Sequence, residues 1–280
     1  KLMESKIKSH YNSDNLTQNI KTALIKTGKN ISKLSPKDLA TIDQLHTGGA
    51  VATIELLKKA NLFSGAKVLD AGCGIGGSSR LLAQQFDCRV MGIDLADKFI
   101  NAANFLTRCT KLETLVSFKQ GSILDLPFDK NKFDYILCQH VLMNIKDKLT
   151  AVKEFFRILK PGGKLILHEI TKGNNGPLIF PVPWASSSDI SFVEPWDFLS
   201  CILEKQGFKT LFHSDETPLA CSWWEKIKAI SQKQGPRVNA LSPGIVFGKN
   251  AIFFGDNMYT NFKNNSICLV EAILKKSYDS

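Results

Sequence analysis

Lys67-Val-Leu-Asp70-Ala-Gly72-Cys-Gly74-Ile-Gly76-Gly77 is the stretch that decides how the chain is read. An apolar, β-branched run ends in a carboxylate and passes into a turn dense in glycine. Residues 78–86 then space their apolar side chains as a helix does. The pattern is strand, turn, helix. Glycines at such a turn let the backbone approach a nucleotide-like ligand without interference from a Cβ. Read as G-x-G-x-x-G over Gly72, Gly74 and Gly77, the turn would also suit a dinucleotide whose pyrophosphate sits at the helix N-terminus.

Downstream, short apolar runs alternate with amphipathic stretches. Strands are expected at 67–70, 89–93, 115–119, 133–138 and 164–168, with helices at 78–86, 98–107 and 151–159. Such alternation builds right-handed βαβ units, so the fold class is α/β, a Rossmann-like and mostly parallel sheet with helices on both faces. Residues 1–64 read as two or three helices forming a lid, 65–170 as the ligand-binding core, and 171–280 as the rest of the sheet. That last part carries insertions at 171–198 and 215–265. The first insertion holds Pro177, Pro181, Pro183 and Pro195 and is expected to be irregular up to a helix near Trp196–Lys205. Strands follow at 208–213 and 267–274.

Asp70 separates the candidate ligands. A carboxylate two residues before the first glycine repels a pyrophosphate but attracts a ligand bearing an ammonium and a sulfonium, which is what S-adenosylmethionine carries. Asp94, ending the next strand, is placed to accept hydrogen bonds from ribose hydroxyls, a demand shared by NAD and S-adenosylmethionine.

These segments fall into ordered blocks: Val68–Gly77, Gly92-Ile-Asp94, Leu126-Pro-Phe128, Phe133-Asp-Tyr-Ile136 and Leu159-Lys-Pro-Gly-Gly-Lys-Leu165. Together they resemble the signature of class I S-adenosylmethionine-dependent methyltransferases. The resemblance implies a seven-stranded sheet with an antiparallel last strand, and S-adenosylmethionine bound along the carboxyl ends of the strands. Asp43–Gly49, Gln139–Ile145 and Pro181–Ala185 extend the likeness to sarcosine/dimethylglycine-type N-methyltransferases, implying a small amine as methyl acceptor. The alternative acceptors are carbon or oxygen nucleophiles on a quinone, sterol or tocopherol-like ring. An NAD-dependent oxidoreductase is disfavoured by Asp70.

The expected cofactor-binding residues are Asp70, Gly72, Gly74, Gly76, Asp94, Leu95, Ser122, Ile123 and Gln139. Ser122 stands where relatives usually carry an acid, so Ser122 or a backbone group near Ile123 is expected to take over the contact to adenine. His140 is the first candidate to orient or deprotonate the acceptor, with Gln139 and His46 as further catalytic candidates. Tyr11, Asn144 and Trp184 are expected, with His140, to hold the acceptor, Trp184 through attraction between its ring and a cation. Glu169 reads as either an ammonium ligand or a structural ion-pair partner. Cys73 reads as a small residue beneath the nucleotide. Trp223 and Trp224 lie in the second insertion, where one is expected merely to pack. No metal site is expected.

Composition bounds the remainder. A chain of 280 residues can bury an ample core without disulfides. Its seven cysteines are scattered and odd in number, with no C-x-x-C spacing, which fits a reducing cytoplasm. No apolar run approaches the roughly 20 residues of a membrane span, and no signal-peptide core is visible. The net charge of +10 reads as a solvated lysine surface rather than a nucleic-acid face, because aromatics are not interleaved with the basic residues. The Asn/Asp-Pro-Pro-Tyr/Phe motif that holds a flipped base is missing after the fourth strand. Oligomeric state is unspecified.

Overall fold

The computed structural model describes residues 2–11, 15–234 and 241–277. Strands β1 (Lys67–Ala71), β2 (Arg89–Asp94), β3 (Val116–Gln120), β4 (Phe133–Gln139), β5 (Leu159–Lys172), β6 (Phe208–Asp215) and β7 (Ile267–Lys276) form one sheet in the order β3-β2-β1-β4-β5-β7-β6. Pairing is parallel from β3 across to β5, whereas β7 runs antiparallel to both β5 and β6. This is the seven-stranded Rossmann-like sheet with one reversed strand.

Four helices precede the sheet: α1 (Leu2–His10), α2 (Leu16–Lys26), α3 (Pro36–Asp43) and α4 (Gly49–Ala60). Their number exceeds the two or three read from periodicity. The start of α3 is written locally: Pro36 occupies the first turn, and Ser35 and Asp38 close a reciprocal capping box. Between the strands run α5 (Gly77–Phe86), α6 (Asp97–Cys109), α7 (Lys148–Ile158) and α8 (Trp196–Lys205). Helices α9 (Thr217–Gln234), α10 (Gly244–Phe247) and α11 (Ala251–Lys263) fill much of the second insertion. The strand expected at 164–168 begins earlier, because Leu159 already pairs with Phe133 before a register shift carries the ladder on to Lys164.

Strand alternation divides the core between the two faces of the sheet. Leu69, Ile136, Leu165 and Leu167 pack with Phe155, Ile158, Leu199 and Leu203 of α7 and α8. Val68, Leu137 and Ile166 point the other way, toward Leu56 and Leu57 of α4 and Leu81 and Leu82 of α5. With a period of two, Asp70, Gln139 and His168 fall on the α4/α5 face and Glu169 on the α7/α8 face. The leading helices are anchored in the same apolar manner. Leu16, Ile20 and Leu24 of α2 and Leu39 and Ile42 of α3 are buried against Phe99, Ala102 and Leu106 of α6, each contributing about 2 kcal/mol from apolar area removed from water.

Candidate active site

A cleft opens at the carboxyl ends of β1, β2 and β4, roofed by α1 and by the segment joining α3 to α4. Its floor is the glycine turn. Gly72, at φ +76°, passes so close to the chain after β4 that a Cβ there would lie 2.3 Å from Val141 Cγ2. Gly74, at φ +53°, faces open space. Gly76 serves differently: it does not line the cleft, and its positive φ and its approach to the Phe118 ring make it the turn into α5.

Two carboxylates face this turn. Asp70 is buried, accepts a hydrogen bond from Ser79 Oγ, and has its carboxyl pushed up to about 6, chiefly by burial. Asp94 accepts from Gly74 N and Ala96 N, both at 2.9 Å, and burial raises its carboxyl despite those bonds. Leu95, Ser122 and Ile123 continue the wall, with Ser122 Oγ accepting from Leu124 N at 3.1 Å.

The donor set fits S-adenosylmethionine: a glycine cradle beside two anions suits an ammonium, a sulfonium and a ribose diol. A diphosphate would meet repulsion there. Lys8 is the one Lys or Arg lining the cleft among the described residues, and it is held by Asp97 at 2.7 Å.

Beneath the turn lies a pair that periodicity did not single out. Arg80 of α5, fully buried, forms an ion pair with Asp43 at the end of α3. It also donates to Ile75 O at 2.9 Å and Thr107 Oγ1 at 3.0 Å. Gly77 permits the contact between α3 and α5, since a Cβ there would lie 1.8 Å from Asp43 O. Burial raises the Asp43 carboxyl while the Arg80 guanidinium opposes it.

The other wall gathers the acceptor candidates. Tyr11 donates to Asn144 Oδ1 at 2.9 Å, and Asn144 Nδ2 donates to Trp184 O and Ile190 O at 2.8 and 3.0 Å. Burial raises the Tyr11 phenol, so it stays protonated and donates. Trp184 is fully buried along the same cleft, its indole N–H on Ser191 Oγ at 2.9 Å. Gln139 joins Ser78 Oγ (2.8 Å) to Thr53 Oγ1 (3.1 Å). Thr53 Oγ1 lies 2.7 Å from His46 Nε2, which is 3.1 Å from Gly49 O.

His140 follows β4 with φ +53°, a left-handed backbone that costs a non-glycine residue roughly 1 kcal/mol or more. The neighbours hold it there. His140 N donates to His168 O at 2.9 Å, and the Glu169 carboxylate accepts from Val141 N and Leu142 N. Glu169 therefore caps this loop from the opposite face of the sheet and does not line the cleft. His140 lines it, and its Nε2 is buried without a hydrogen-bond partner. Burial, with His168 and His46 nearby, pushes its imidazole well below the usual range, so it is neutral at pH 7.

The remaining candidates sit elsewhere or are inert. Cys73 lines the cleft, but burial raises its thiol far above neutrality. Trp223 and Trp224 pack edge to face outside the cleft, Trp224 donating to Thr47 Oγ1 at 3.1 Å. Periodicity also passed over His168, although a strand ending in His168, in register with Gln139, puts both side chains on one face.

A Rossmann-like sheet carrying this glycine-and-carboxylate cleft has the architecture of the class I methyltransferases. Residues 69–167 match the family model described as a methyltransferase domain. Residues 69–167 thus carry a methyltransferase domain on the class I methyltransferase fold, whose family cofactor is S-adenosylmethionine. Phosphoethanolamine N-methyltransferase 1 of Arabidopsis thaliana is 38% identical over 131 residues, covering 47% of this chain and 26% of the relative. The chain therefore spans about a quarter of that relative's length.

Among solved structures, Haemonchus contortus phosphoethanolamine N-methyltransferase 2, in complex with phosphomonomethylethanolamine and S-adenosylhomocysteine, superposes with a TM-score of 0.69. The identity is 20%, over 92% of this chain and 60% of that one. A putative sarcosine dimethylglycine methyltransferase from Galdieria sulphuraria gives 0.65 at 19% identity, covering 82% and 85%. At such identities the likeness concerns the fold.

Proposed function

We propose that the protein moves the methyl group of S-adenosylmethionine onto a heteroatom of a small molecule, with an amine as the first candidate acceptor. The observation that carries this reading is His140, a neutral imidazole with an unpartnered Nε2, lining the same cleft as Gly72, Gly74, Asp70 and Asp94. The cofactor supplies an electrophilic methyl on a good leaving group, so the chain mainly has to align the acceptor and exclude water.

In this reading Asp94 receives the ribose hydroxyls and Asp70 offsets the cofactor's positive charge. Tyr11, Asn144 and Trp184 form the acceptor wall. His140 takes the acceptor's proton or orients its lone pair, with His46 and Gln139 fixing the surroundings. Residues 1–64 act as a lid on a core of 65–170, and 171–280 completes the acceptor chamber.

A second reading, methyl transfer to a hydroxyl on an apolar ring, draws on the wall formed by Ile7, Leu45, Met143, Ile145 and Phe247. It draws also on Lys8 being engaged by Asp97, which leaves glycine-type carboxylates without an evident cation among the described residues. No helix among the described residues is long and apolar enough to cross a membrane. The seven free cysteines support a cytoplasmic location.

Labelled S-adenosylmethionine with glycine, sarcosine, dimethylglycine, phosphoethanolamine and phenolic ring acceptors tests the proposal. Label transferred to an amine supports the first reading, and transfer to a ring hydroxyl supports the second. Absence of transfer to any of them, despite saturable binding of S-adenosylhomocysteine, would overturn both.

A further inference from the structure

Four buried side-chain atoms among the described residues have no hydrogen-bond partner: Gln44 Oε1, His140 Nε2, and both ring nitrogens of His168. Three of the four belong to two adjacent imidazoles. The His140 and His168 ring centroids are 5.0 Å apart, and His46 closes the group at 6.0 Å from His140 and 5.5 Å from His168. A neutral imidazole carries one donor and one acceptor, and leaving both unmet in a dry interior costs several kcal/mol. The packing of His168 therefore calls for a polar species beside it. No group of three metal-binding side chains among the described residues is arranged to hold an ion. A hydrogen-bonded water, which needs two to four polar partners, matches the nitrogens on offer.

We propose that His168 is a positioning residue that shares with His140, through a bridging water, the proton leaving the methyl acceptor. This deepens, and rests on, the function proposed above. The balance is simple. The acceptor lone pair forms the new bond to the methyl carbon, the C–S bonding pair stays on sulfur, and the acceptor proton passes to the bridging water as that water gives a proton to His140 Nε2 or to a ring nitrogen of His168. The imidazolium so formed, shared between the two rings, releases its proton to solvent once the product has left.

Sharing answers a difficulty in the site. Burial holds both imidazoles well below their ordinary range, so either alone is a reluctant resting place for a proton. Two rings joined by one water spread the charge. The groups around the pair are few. His46 faces it from the segment before α4, where Thr53 Oγ1 and Gly49 O hold its ring. Gln139 of β4 lies in register with His168 and is tied to Ser78 and Thr53. Glu271 of β7, also in register with His168, is neutralised by Lys59 at 2.9 Å, and Glu169 lies on the other face of β5.

The test follows the histidine ring nitrogens of the full chain by ¹⁵N NMR from pH 4 to 8, with saturating S-adenosylhomocysteine. In the unmodified protein the His140 and His168 curves are expected to share two inflections, as coupled groups do. In His168→Asn the His140 curve collapses to one step, shifted upward by about one pH unit. His140→Asn should do the same to His168, which gives a reciprocal reading should one variant fold poorly. With whichever acceptor is methylated, His168→Asn should lower kcat about tenfold while leaving KM within about twofold, and shift the acid limb of the pH profile. Independent one-step titrations in the unmodified protein would overturn the proposal. Coupled titration without methyl transfer to any acceptor tested would leave the histidine pair standing and count against the function alone.

Discussion

Asp43, the last residue of α3, and Arg80, on α5, form an ion pair sealed from solvent beneath the glycine turn. Because Arg80 also holds Ile75 O and Thr107 Oγ1, one guanidinium joins the leading helices, the glycine turn and α6. Removing one member of such a pair strands the other charge. Arg80→Met is expected to lower unfolding free energy by about 3–5 kcal/mol, with Arg80→Met/Asp43→Asn recovering part of the loss. Urea unfolding monitored by fluorescence checks both.

Two glycines of the same turn should respond differently to alanine. At Gly77 the new Cβ would collide with Asp43 O, so α3 or α5 must move and stability should fall by more than about 2 kcal/mol. At Gly74 nothing lies within 4 Å, leaving only the left-handed backbone penalty of about 1 kcal/mol. Thermal unfolding of the two ligand-free variants should rank them in that order.

Cofactor affinity should depend on acid through Asp70. Its carboxyl titrates at about 6 in the ligand-free site, so the anion that favours a cationic ligand is lost as pH falls through that value. Calorimetric titration with S-adenosylhomocysteine is expected to show affinity weakening below pH 6, by up to about tenfold per pH unit. Asp70→Asn should bind weakly with a flatter dependence.

Binding and turnover should separate between two residues. Asp94→Ala is expected to weaken S-adenosylhomocysteine about tenfold or more, because the proposed reading gives Asp94 the ribose hydroxyls and the variant also frees Gly74 N. His140→Ala should leave that affinity within about threefold while slowing methyl transfer about a hundredfold. Equal losses of affinity in the two variants would contradict this division of labour.

Stability should also carry a signature of Glu169, whose carboxyl burial raises to about 7 against the pull of the Val141 and Leu142 amides. The folded pKa exceeds the unfolded one, so between about pH 4.5 and 7 the folded chain keeps a proton that the unfolded chain has lost. Stability from this group is present at the acid end and declines as pH rises through the window, by up to about 1.4 kcal/mol per pH unit. Comparing unfolding curves of the unmodified protein and Glu169→Gln from pH 4.5 to 7.5 isolates that slope.

The parallel half of the sheet was legible because its strands are short apolar runs punctuated by glycine. Asp70 and Asp94 were legible because they end such runs. The leading helices were read in part, since the capping signal at Ser35–Asp38 is local whereas the docking of α2 and α3 on α6 depends on surfaces distant in sequence. Asp43–Arg80 was hidden for the same reason: 37 residues separate the partners, and although Asp43 opens the Asp43–Gly49 block, nothing in that block points to Arg80. The place of Glu169 required knowing the loop it caps, because an acid at a strand end reads equally well as a ligand for a cation. His168 was within reach through alternation along β5, yet its nearness to His140 follows from the left-handed bend after β4.

The interposed position of β7 has a consequence for synthesis on the ribosome. β5 meets β4 as soon as residue 172 has emerged, but its other edge finds no complementary strand until residues 267–276 have been made. For nearly a hundred codons the nascent parallel half of the sheet therefore presents an open border rich in Leu and Ile, an edge onto which other chains can add. Slow decoding across α9 to α11 would prolong that window, so the burden on chaperones should be set by this interval rather than by the stability of the finished sheet.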